Sequence, residues 1–149
     1  MIIGIGIDAV SVGRMSGMMG RFGERFTRRV FTDEEREYCG KRRDAAAAFA
    51  ARFAAKEAVM KALGSGWGSG VRFQEIEVQR GERGEPFINL YGGAKKKAES
   101  LGMGTIFISL THEGDMALAQ AIGEERKEKE NKDVKDITKG SMVEWTLKQ

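Results

Sequence analysis

The segment from Ala45 to Leu63 constrains the fold most, because it is long, rich in alanine and bounded by helix-ending signals. Asp44 precedes it as an N-cap and Gly64 follows it, which predicts one long helix over this range. Its apolar stripe contains Lys56, whose ammonium must either reach solvent or meet an anion, since an unpaired buried charge is costly. We therefore expect a partner for Lys56.

The N-terminal segment predicts a strand followed by a weak helix. Isoleucine alternates with glycine over residues 2–7, a pattern for a buried strand that another element approaches closely and that ends at Asp8. From Val12, apolar residues recur at steps of three and four and predict a helix. Its four glycines each weaken it by roughly 1 kcal/mol relative to alanine. A second stripe on this helix consists of Arg14, Met18, Arg21 and Arg25.

Shorter patterns complete the predicted fold, which is α+β with an antiparallel sheet packed against the long alanine-rich helix. Thr32 and Glu35 form a capping box that opens a short helix through Cys39. Helices and hairpins mix without strict alternation, which favours α+β over a doubly wound fold. The remaining predictions are strands at 71–79 and 87–91, a helix at 93–101, and strands at 105–110 and 116–122 connected by a turn at 111–115.

The composition predicts one domain at residues 1–123 and a charged extension at residues 124–149. The chain has 149 residues, about the length of one domain. Nine of the ten residues from Glu124 to Asp133 are charged, which is typical of a solvated helix or a disordered tail. Residues 14–43 carry nine basic against five acidic side chains, so this part of the chain would attract an anionic partner.

Cysteine usage and hydropathy bear on the compartment. Cys39 is the only cysteine, which excludes an intramolecular disulfide and a C-x-x-C motif and fits a reducing cytoplasm. No stretch approaches the ~20 apolar residues that span a bilayer, and no basic leader precedes the first apolar run. We expect a soluble cytoplasmic protein without a membrane segment.

Two carboxylates, Asp8 and Glu57, predict a metal site for phosphate chemistry. With no cysteine cluster and a single histidine, His112, these hard oxygen ligands favour Mg²⁺, which binds through one or two carboxylates plus substrate phosphates. Lys61 lies one turn after Glu57 on the same helix face. Gly64, Ser65 and Gly66 follow the helix, and glycines there let backbone N–H groups approach an anion.

Four segments in order, residues 4–10, 31–39, 52–66 and 109–112, resemble the holo-[acyl-carrier-protein] synthase family. The resemblance implies a 4'-phosphopantetheinyl transferase-like fold. It also implies transfer of phosphopantetheine from coenzyme A to a serine of apo acyl carrier protein, as in fatty acid biosynthesis, with release of adenosine 3',5'-bisphosphate. A homotrimer with active sites between neighbouring subunits is implied as well.

The resemblance also implies a role for each site residue. Asp8 and Glu57 would hold Mg²⁺, with Mn²⁺ as an alternative, against the coenzyme A pyrophosphate, and Lys61 would contact the phosphates. Glu57 is the first candidate for the base that takes the serine proton. The nucleotide end would be contacted by Arg52, Lys56, Gly64, Ser65, Gly66, Thr111 and His112. The acidic helix of the carrier protein would dock on Arg14, Met18, Arg21 and Arg25.

The sequence departs from the family pattern at Ser11. An acidic residue is common at this position, and its loss removes one possible contact near the metal.

Two other classes of protein are alternatives. A nucleic-acid-binding module would explain the basic side chains of residues 14–43 and use Trp67 for stacking. It would not explain Asp8 and Glu57, since carboxylates near bound phosphate repel it. An inactive scaffold is the third alternative.

Overall fold

The computed structural model describes residues 1–66 and 68–127. Its described part is α+β, as predicted, with a three-stranded antiparallel sheet in the order β1-β5-β4 and a separate antiparallel pair, β2-β3. The elements in chain order are β1 (Ile2–Ser11), α1 (Val12–Val30), α2 (Asp33–Gly40), α3 (Ala45–Ala62), β2 (Ile76–Arg80), β3 (Pro86–Leu90), α4 (Gly92–Ser100), β4 (Met103–Glu113) and β5 (Met116–Glu125).

Strand β1 packs closely on helix α3. A Cβ atom added at Gly4 would lie 2.3 Å from the carbonyl oxygen of Ala62, and one at Gly6 would lie 1.9 Å from that of Ala58. Only glycine permits this approach. The prediction that another element lies against the glycines of β1 is confirmed, and that element is the long helix.

The strands are longer than predicted at the two places where polar residues suggested an end. β1 continues through Asp8, which pairs with Ala119 of β5. β4 continues through His112, which pairs with Ala117, so the prediction that His112 lies in a turn is wrong. Backbone pairing with β5 outweighs the polar side chains there. The turn between β4 and β5 consists of Gly114 and Asp115 alone.

The second predicted hairpin is shifted toward the C-terminus. The strand predicted at residues 71–79 begins only at Ile76, because Phe73–Glu75 forms a 3-10 turn. The Glu75 carboxylate accepts hydrogen bonds from the backbone N–H groups of Arg72 and Ala94. These local bonds hold the segment out of the β ladder.

Helix α1 is kinked at Gly23. This residue has φ 55° and ψ −140°, a conformation that costs a residue with a Cβ atom about 1–3 kcal/mol. Met15 is buried, whereas Phe22, in the same predicted stripe, is 47% exposed. The predicted weakness from the glycines therefore takes the form of one kink. Arg21 and Arg25 lie on either side of it, so the regular helical spacing no longer places them on one face.

The core forms on both sides of α3. One cluster packs α3 alanines, Val59 and Leu63 against β2, α4 and β5. A second cluster brings α1 and α2 onto the N-terminal half of α3, where the rings of Phe31 and Phe49 lie 4.8 Å apart. The predicted capping box of α2 is present, with Thr32 and Glu35 bonding each other's backbone N–H groups. α3 is thus held on several faces, which fixes its polar side chains in place.

The last strand is longer than predicted. β5 extends to Glu125, three residues past the predicted end of this strand at 122. Residues 128–149 of the predicted extension, and Trp67, lie outside the described residues. Among the residues that the structure describes, no helix is long and apolar enough to cross a membrane.

Candidate active site

Lys61 joins the two elements that carry the predicted metal ligands. Its ammonium donates to the Asp8 carboxylate at 2.9 Å and to the backbone carbonyl of Ile7 at 2.7 Å. The close packing of β1 on α3 places Asp8 within reach of Lys61, although the two residues are 53 positions apart in the sequence. The Asp8 side chain is 20% exposed and that of Lys61 is 52% exposed, so the pair lies at the surface.

Glu57 lies one turn before Lys61 and shares this site. Its pKa is raised above the ordinary value of 4.5, first by burial and then by the negative charge of Asp8, while Lys61 opposes the shift. The two predicted ligands, Asp8 and Glu57, therefore interact electrostatically within one chain. Two repelling carboxylates beside a solvent-facing surface form a donor set that suits a divalent cation.

The carboxylates of Asp8 and Glu57 suit Mg²⁺ better than a cation that needs all of its ligands from the protein. In the described ranges, no group of three or more His, Cys, Asp or Glu side chains forms a metal site. Mg²⁺ keeps several waters and is commonly held by one or two carboxylates plus substrate phosphates. Asp8 and Glu57 are sufficient for that mode of binding.

Lys56 has the partner that the sequence required, but its placement corrects its predicted role. Its side chain is fully buried and pairs with the Glu35 carboxylate at 2.7 Å. Its ammonium also donates to the backbone carbonyls of Phe73 and Ile76. Burial lowers its pKa and Glu35 opposes that shift. With its donors used internally, Lys56 is a structural residue here, and a contact with coenzyme A does not fit this geometry.

Arg52 is also buried, against an aromatic ring. Its side chain is 5% exposed, and its guanidinium carbon lies 4.1 Å from the centre of the Tyr38 ring. Arg42 and Arg80 approach the same ring at 5.7 and 5.3 Å. The Arg52 Nε atom has no hydrogen-bond partner among the described residues. Tyr38 thus gathers three cations, a role that sequence reasoning missed although Tyr38 lies within a recognised segment.

The residues after α3 end the helix in a Schellman motif. Gly64 has φ +62°, its N–H bonds the carbonyl of Lys61, and the Ser65 N–H bonds that of Met60. These two N–H groups are therefore already paired and do not form the predicted phosphate cradle. Ser65 is buried, and its hydroxyl has no partner within the described part of the chain. Gly66 is exposed.

Strand pairing puts the side chains of His112 and Thr111 on opposite faces of the sheet and places His112 far from Asp8. Residues directly opposite in an antiparallel sheet share a face, so Asp8, Ala119 and His112 point toward α3 and Thr111 points away. Two strand spacings and two residues along the strand put the Cα atoms of Asp8 and His112 about 12 Å apart. One ligand contacts both residues of a chain only if it is elongated.

A cavity of about 590 Å³ opens where α2 meets the start of α3. The pKa of Asp44 is lowered first by its own backbone hydrogen bond, then by Arg42, and to a lesser degree by the charge of His112. His112 therefore lies near this cavity. Sequence reasoning missed this cavity because it forms between α2 and the segment at residues 41–44, and no local pattern shows how these two parts of the chain pack. It is lined by Glu34, Glu37, Tyr38, Lys41, Arg42, Arg43 and Asp44.

The predicted docking residues all lie on the exposed surface of α1. Met18 is 37% exposed, and Arg14, Arg21 and Arg25 are exposed as well. Phe22 adds a second exposed apolar side chain, and the Arg21 guanidinium carbon lies 5.1 Å from the centre of its ring. This surface combines positive charge with apolar contacts, a composition suited to an acidic, amphipathic partner.

The fold and this site match one known family. A model of the 4'-phosphopantetheinyl transferase superfamily matches residues 4–121, and the chain belongs to that family. It is similar to the holo-[acyl-carrier-protein] synthase of Desulforudis audaxviator, with 46% identity over 122 residues that cover 82% of this chain and 92% of that protein.

Solved structures agree with this assignment. The holo-[acyl-carrier-protein] synthase of Neisseria meningitidis superposes with a TM-score of 0.76 at 36% identity, covering 84% of this chain and all of that one. The Helicobacter pylori enzyme, solved in complex with coenzyme A, superposes with a TM-score of 0.72 at 29% identity, covering 80% of this chain and 99% of that one. The resemblance inferred from the sequence motifs is therefore confirmed.

Proposed function

We propose that this protein is a holo-[acyl-carrier-protein] synthase, which transfers 4'-phosphopantetheine from coenzyme A to a serine of apo acyl carrier protein. The observation that carries the proposal is the cluster of Asp8, Glu57 and Lys61, which the packing of β1 on α3 brings together in a chain of this family. The product acyl carrier protein serves fatty acid biosynthesis, and adenosine 3',5'-bisphosphate is the second product.

Asp8 and Glu57 would hold Mg²⁺, and Mn²⁺ would suit the same oxygen ligands. When bound, the ion supplies positive charge that stabilises the phosphates during transfer. The two carboxylates would supply its protein ligands, and the ion would offset their mutual repulsion. Lys61, already held at this point by Asp8 and Ile7, adds a second positive charge beside the leaving phosphate.

Glu57 is our candidate for the base. The serine oxygen forms a bond to the β-phosphorus of coenzyme A, the bond from that phosphorus to the bridging oxygen breaks, and the serine proton must be accepted. Glu57 lies beside the proposed phosphate site, where a carboxylate can accept this proton. Positioning and electrostatics supply the rest of the catalysis, as in other phosphoryl transfers.

The cavity at the start of α3 is our candidate for the nucleotide end. Its volume, about 590 Å³, lies in the range of small-molecule sites. Lys41, Arg42 and Arg43 supply cations for a phosphate, His112 lies nearby, and the Tyr38 ring offers an aromatic surface. Asp44 and Glu57, however, are thirteen residues apart on α3, about 20 Å along its axis. This span supports a site whose two ends come from different copies of the chain.

An exposed apolar face of the sheet supports assembly of those copies. Ile5, Ile122 and Phe107 lie in one row across β1, β5 and β4, on the face opposite α3. Ile5 is 63% exposed and Phe107 is 44% exposed. A sheet face of this kind marks an interface, and we propose the homotrimer implied by the family resemblance. Light scattering should give a trimer for the wild type and a monomer for Ile5→Lys.

A mixing experiment tests whether the active site is shared. Glu57→Gln and His112→Ala should each be inactive alone. If the two side chains act on one coenzyme A molecule from neighbouring subunits, mixed trimers contain some intact sites, and activity returns on mixing. If mixing restores nothing although mass spectrometry detects mixed trimers, the site belongs to one chain.

The activity is tested directly by mass spectrometry. Apo acyl carrier protein incubated with this protein, coenzyme A and Mg²⁺ should gain about 340 Da, the mass of the group moved in the proposed phosphoryl transfer. Chelation with EDTA should prevent the gain, and added Mg²⁺ should restore it. An unchanged mass with a folded enzyme and a competent carrier protein would refute the proposal.

We expect the reaction to take place in the cytoplasm and to require no nucleic acid or membrane. Cys39 is buried and free, and burial raises the pKa of its thiol to about 11. A protonated, buried thiol is inert and needs no oxidising compartment. Activity that depended on added nucleic acid would favour the alternative of a nucleic-acid-binding module.

A further inference from the structure

The turn between β4 and β5 holds the start of helix α1 through one residue, Asp115. Its Oδ1 atom accepts the backbone N–H of Gly13 at 2.7 Å, and its Oδ2 atom accepts the hydroxyl of Ser11 at 2.7 Å. Its backbone carbonyl accepts the N–H of Val12 at 2.8 Å. Three consecutive residues at the entrance to α1 are thus bound to one residue from more than a hundred positions later.

Ser11 extends this set of bonds to the first residue of the docking surface. It is the N-cap of α1, and its hydroxyl oxygen accepts the backbone N–H of Arg14 at 3.1 Å while donating to Asp115. The hydroxyl therefore relates the position of Asp115 to that of Arg14. The residue that departs from the family pattern has a defined role here.

Asp115 also supplies charge that α1 lacks. The first turn of α1 contains no acidic residue, although a carboxylate is favourable at a helix N-terminus. The pKa of Asp115 is lowered by its bonds to Ser11 and Gly13, so the carboxylate is ionised at neutral pH. It acts on α1 in the manner of an N-cap acid but is attached to the sheet.

We propose that Asp115 is a positioning residue for carrier-protein recognition, holding the N-terminal turn of α1 so that Arg14 faces the docking partner. This inference rests on the proposed function, in which α1 receives the acidic helix of the carrier protein. Asp115 itself contacts neither substrate. Its effect is carried by Ser11 and the helix backbone.

Kinetics separate this role from a general contribution to stability. Asp115→Ala removes both side-chain bonds and should raise KM for apo carrier protein about fivefold, the equivalent of losing one N-cap. KM for coenzyme A and kcat should stay near the wild-type values. Asp115→Asn keeps one acceptor and should give a smaller increase in the same constant. Glu99→Gln, an exposed carboxylate change on α4, is the matched control and should change neither constant.

Ser11→Ala tests the path of the effect. It should raise the same KM, and the double variant with Asp115→Ala should be less impaired than the product of the two single effects, because both remove the same bond. Equal losses in both KM values and kcat would mean a merely structural role and overturn the proposal. An unchanged carrier-protein KM in Asp115→Ala would overturn it as well.

Hydrogen exchange tests the link to α1 independently of the proposed function. In the unliganded protein, Asp115→Ala should speed exchange of the amides at the start of α1 while leaving those of α3 unchanged. Faster exchange throughout the protein, or an unchanged exchange rate at the start of α1, would contradict the positioning role. If the wild type transfers no phosphopantetheine, the proposed function fails, and exchange still decides whether Asp115 holds the helix.

Discussion

The ammonium of Lys56 lies 2.7 Å from the carboxylate of Glu35, and neither side chain is exposed. Glu35 also accepts the backbone N–H groups of Thr32 and Val78. The pair thus connects α2, α3 and β2 at the centre of the molecule. Because Lys56 directly precedes Glu57, this connection also fixes the helix turn that carries a proposed metal ligand.

We predict that Lys56→Met destabilises the protein by about 3–5 kcal/mol, because it leaves the buried Glu35 carboxylate without its cation. Urea unfolding measures this loss. Lys61→Met is the matched control on the same helix: its side chain is 52% exposed, so it should cost no more than about 1 kcal/mol while abolishing transfer. A stable, active Lys56→Met variant would contradict the structural role of Lys56.

The contact between β1 and α3 gives a second prediction. In Gly6→Ala, the new Cβ atom would lie 1.9 Å from the Ala58 carbonyl oxygen, and we expect a loss of about 3 kcal/mol since backbone must move. Gly17→Ala is the control, because its Cβ atom meets nothing within 4 Å, and it should stabilise α1 by roughly 1 kcal/mol. Thermal unfolding of the two variants should therefore shift in opposite directions. A Gly6→Ala protein as stable as the wild type would show that β1 and α3 are not packed this closely.

Glu57→Gln should abolish transfer without weakening the fold. The folded-state pKa of Glu57 is raised, so its contribution to stability is fully present below the unfolded pKa and is lost as pH rises through the folded value. Removing the carboxylate should therefore leave the unfolding temperature at pH 7 equal to or above that of the wild type. Near-normal turnover in this variant would refute the proposed role.

The raised pKa of Glu57 is a property of the metal-free protein and can be measured there. An NMR titration of Glu57 in the presence of EDTA should give a midpoint above the ordinary glutamate value of 4.5. Asp8→Asn removes the neighbouring negative charge and should lower the pKa of Glu57. The midpoint in that variant should therefore lie at lower pH than in the wild type. A midpoint that moves upward would contradict the coupling of the two carboxylates.

Charge reversal on α1 should affect only the carrier protein. Arg14→Glu or Arg21→Glu places a negative charge on the proposed docking surface and should raise KM for the carrier protein at least tenfold at low salt. KM for coenzyme A should not change. Lys96→Glu, on the exposed surface of α4, is the control with the same charge change. Equal effects of all three variants would indicate a response to net charge instead of a docking site.

The sequence predicted those features that short-range patterns determine. The capping box of Thr32, the extent of α3 and the close approach at the glycines of β1 follow from local chemistry and from spacing. Lys56 was predicted to need an anion, but the identity of Glu35 depends on how α2 packs on α3, which no local pattern contains.

The errors come from hydrogen bonds that join distant segments in the cases of His112 and Asp115, and that lie within a helix end in the case of Gly64 and Ser65. The polar residues around His112 predict a turn, yet β5 supplies a partner strand that extends β4 through this residue. The N–H groups of Gly64 and Ser65 were predicted to bind phosphate, but ending α3 already uses them. No local pattern indicates the role of Asp115, because its partners, Ser11 and Gly13, lie at the other end of the chain.

The central claim is that Asp8 and Glu57 bind one divalent ion, and a crystal structure with Mn²⁺ and coenzyme A tests it most directly. An anomalous difference map identifies the ion without assumptions about its identity. We predict one peak about 2.1 Å from a carboxylate oxygen of each residue, with pyrophosphate oxygens completing the coordination. A peak bound by other side chains, or by only one of these two, would contradict the account.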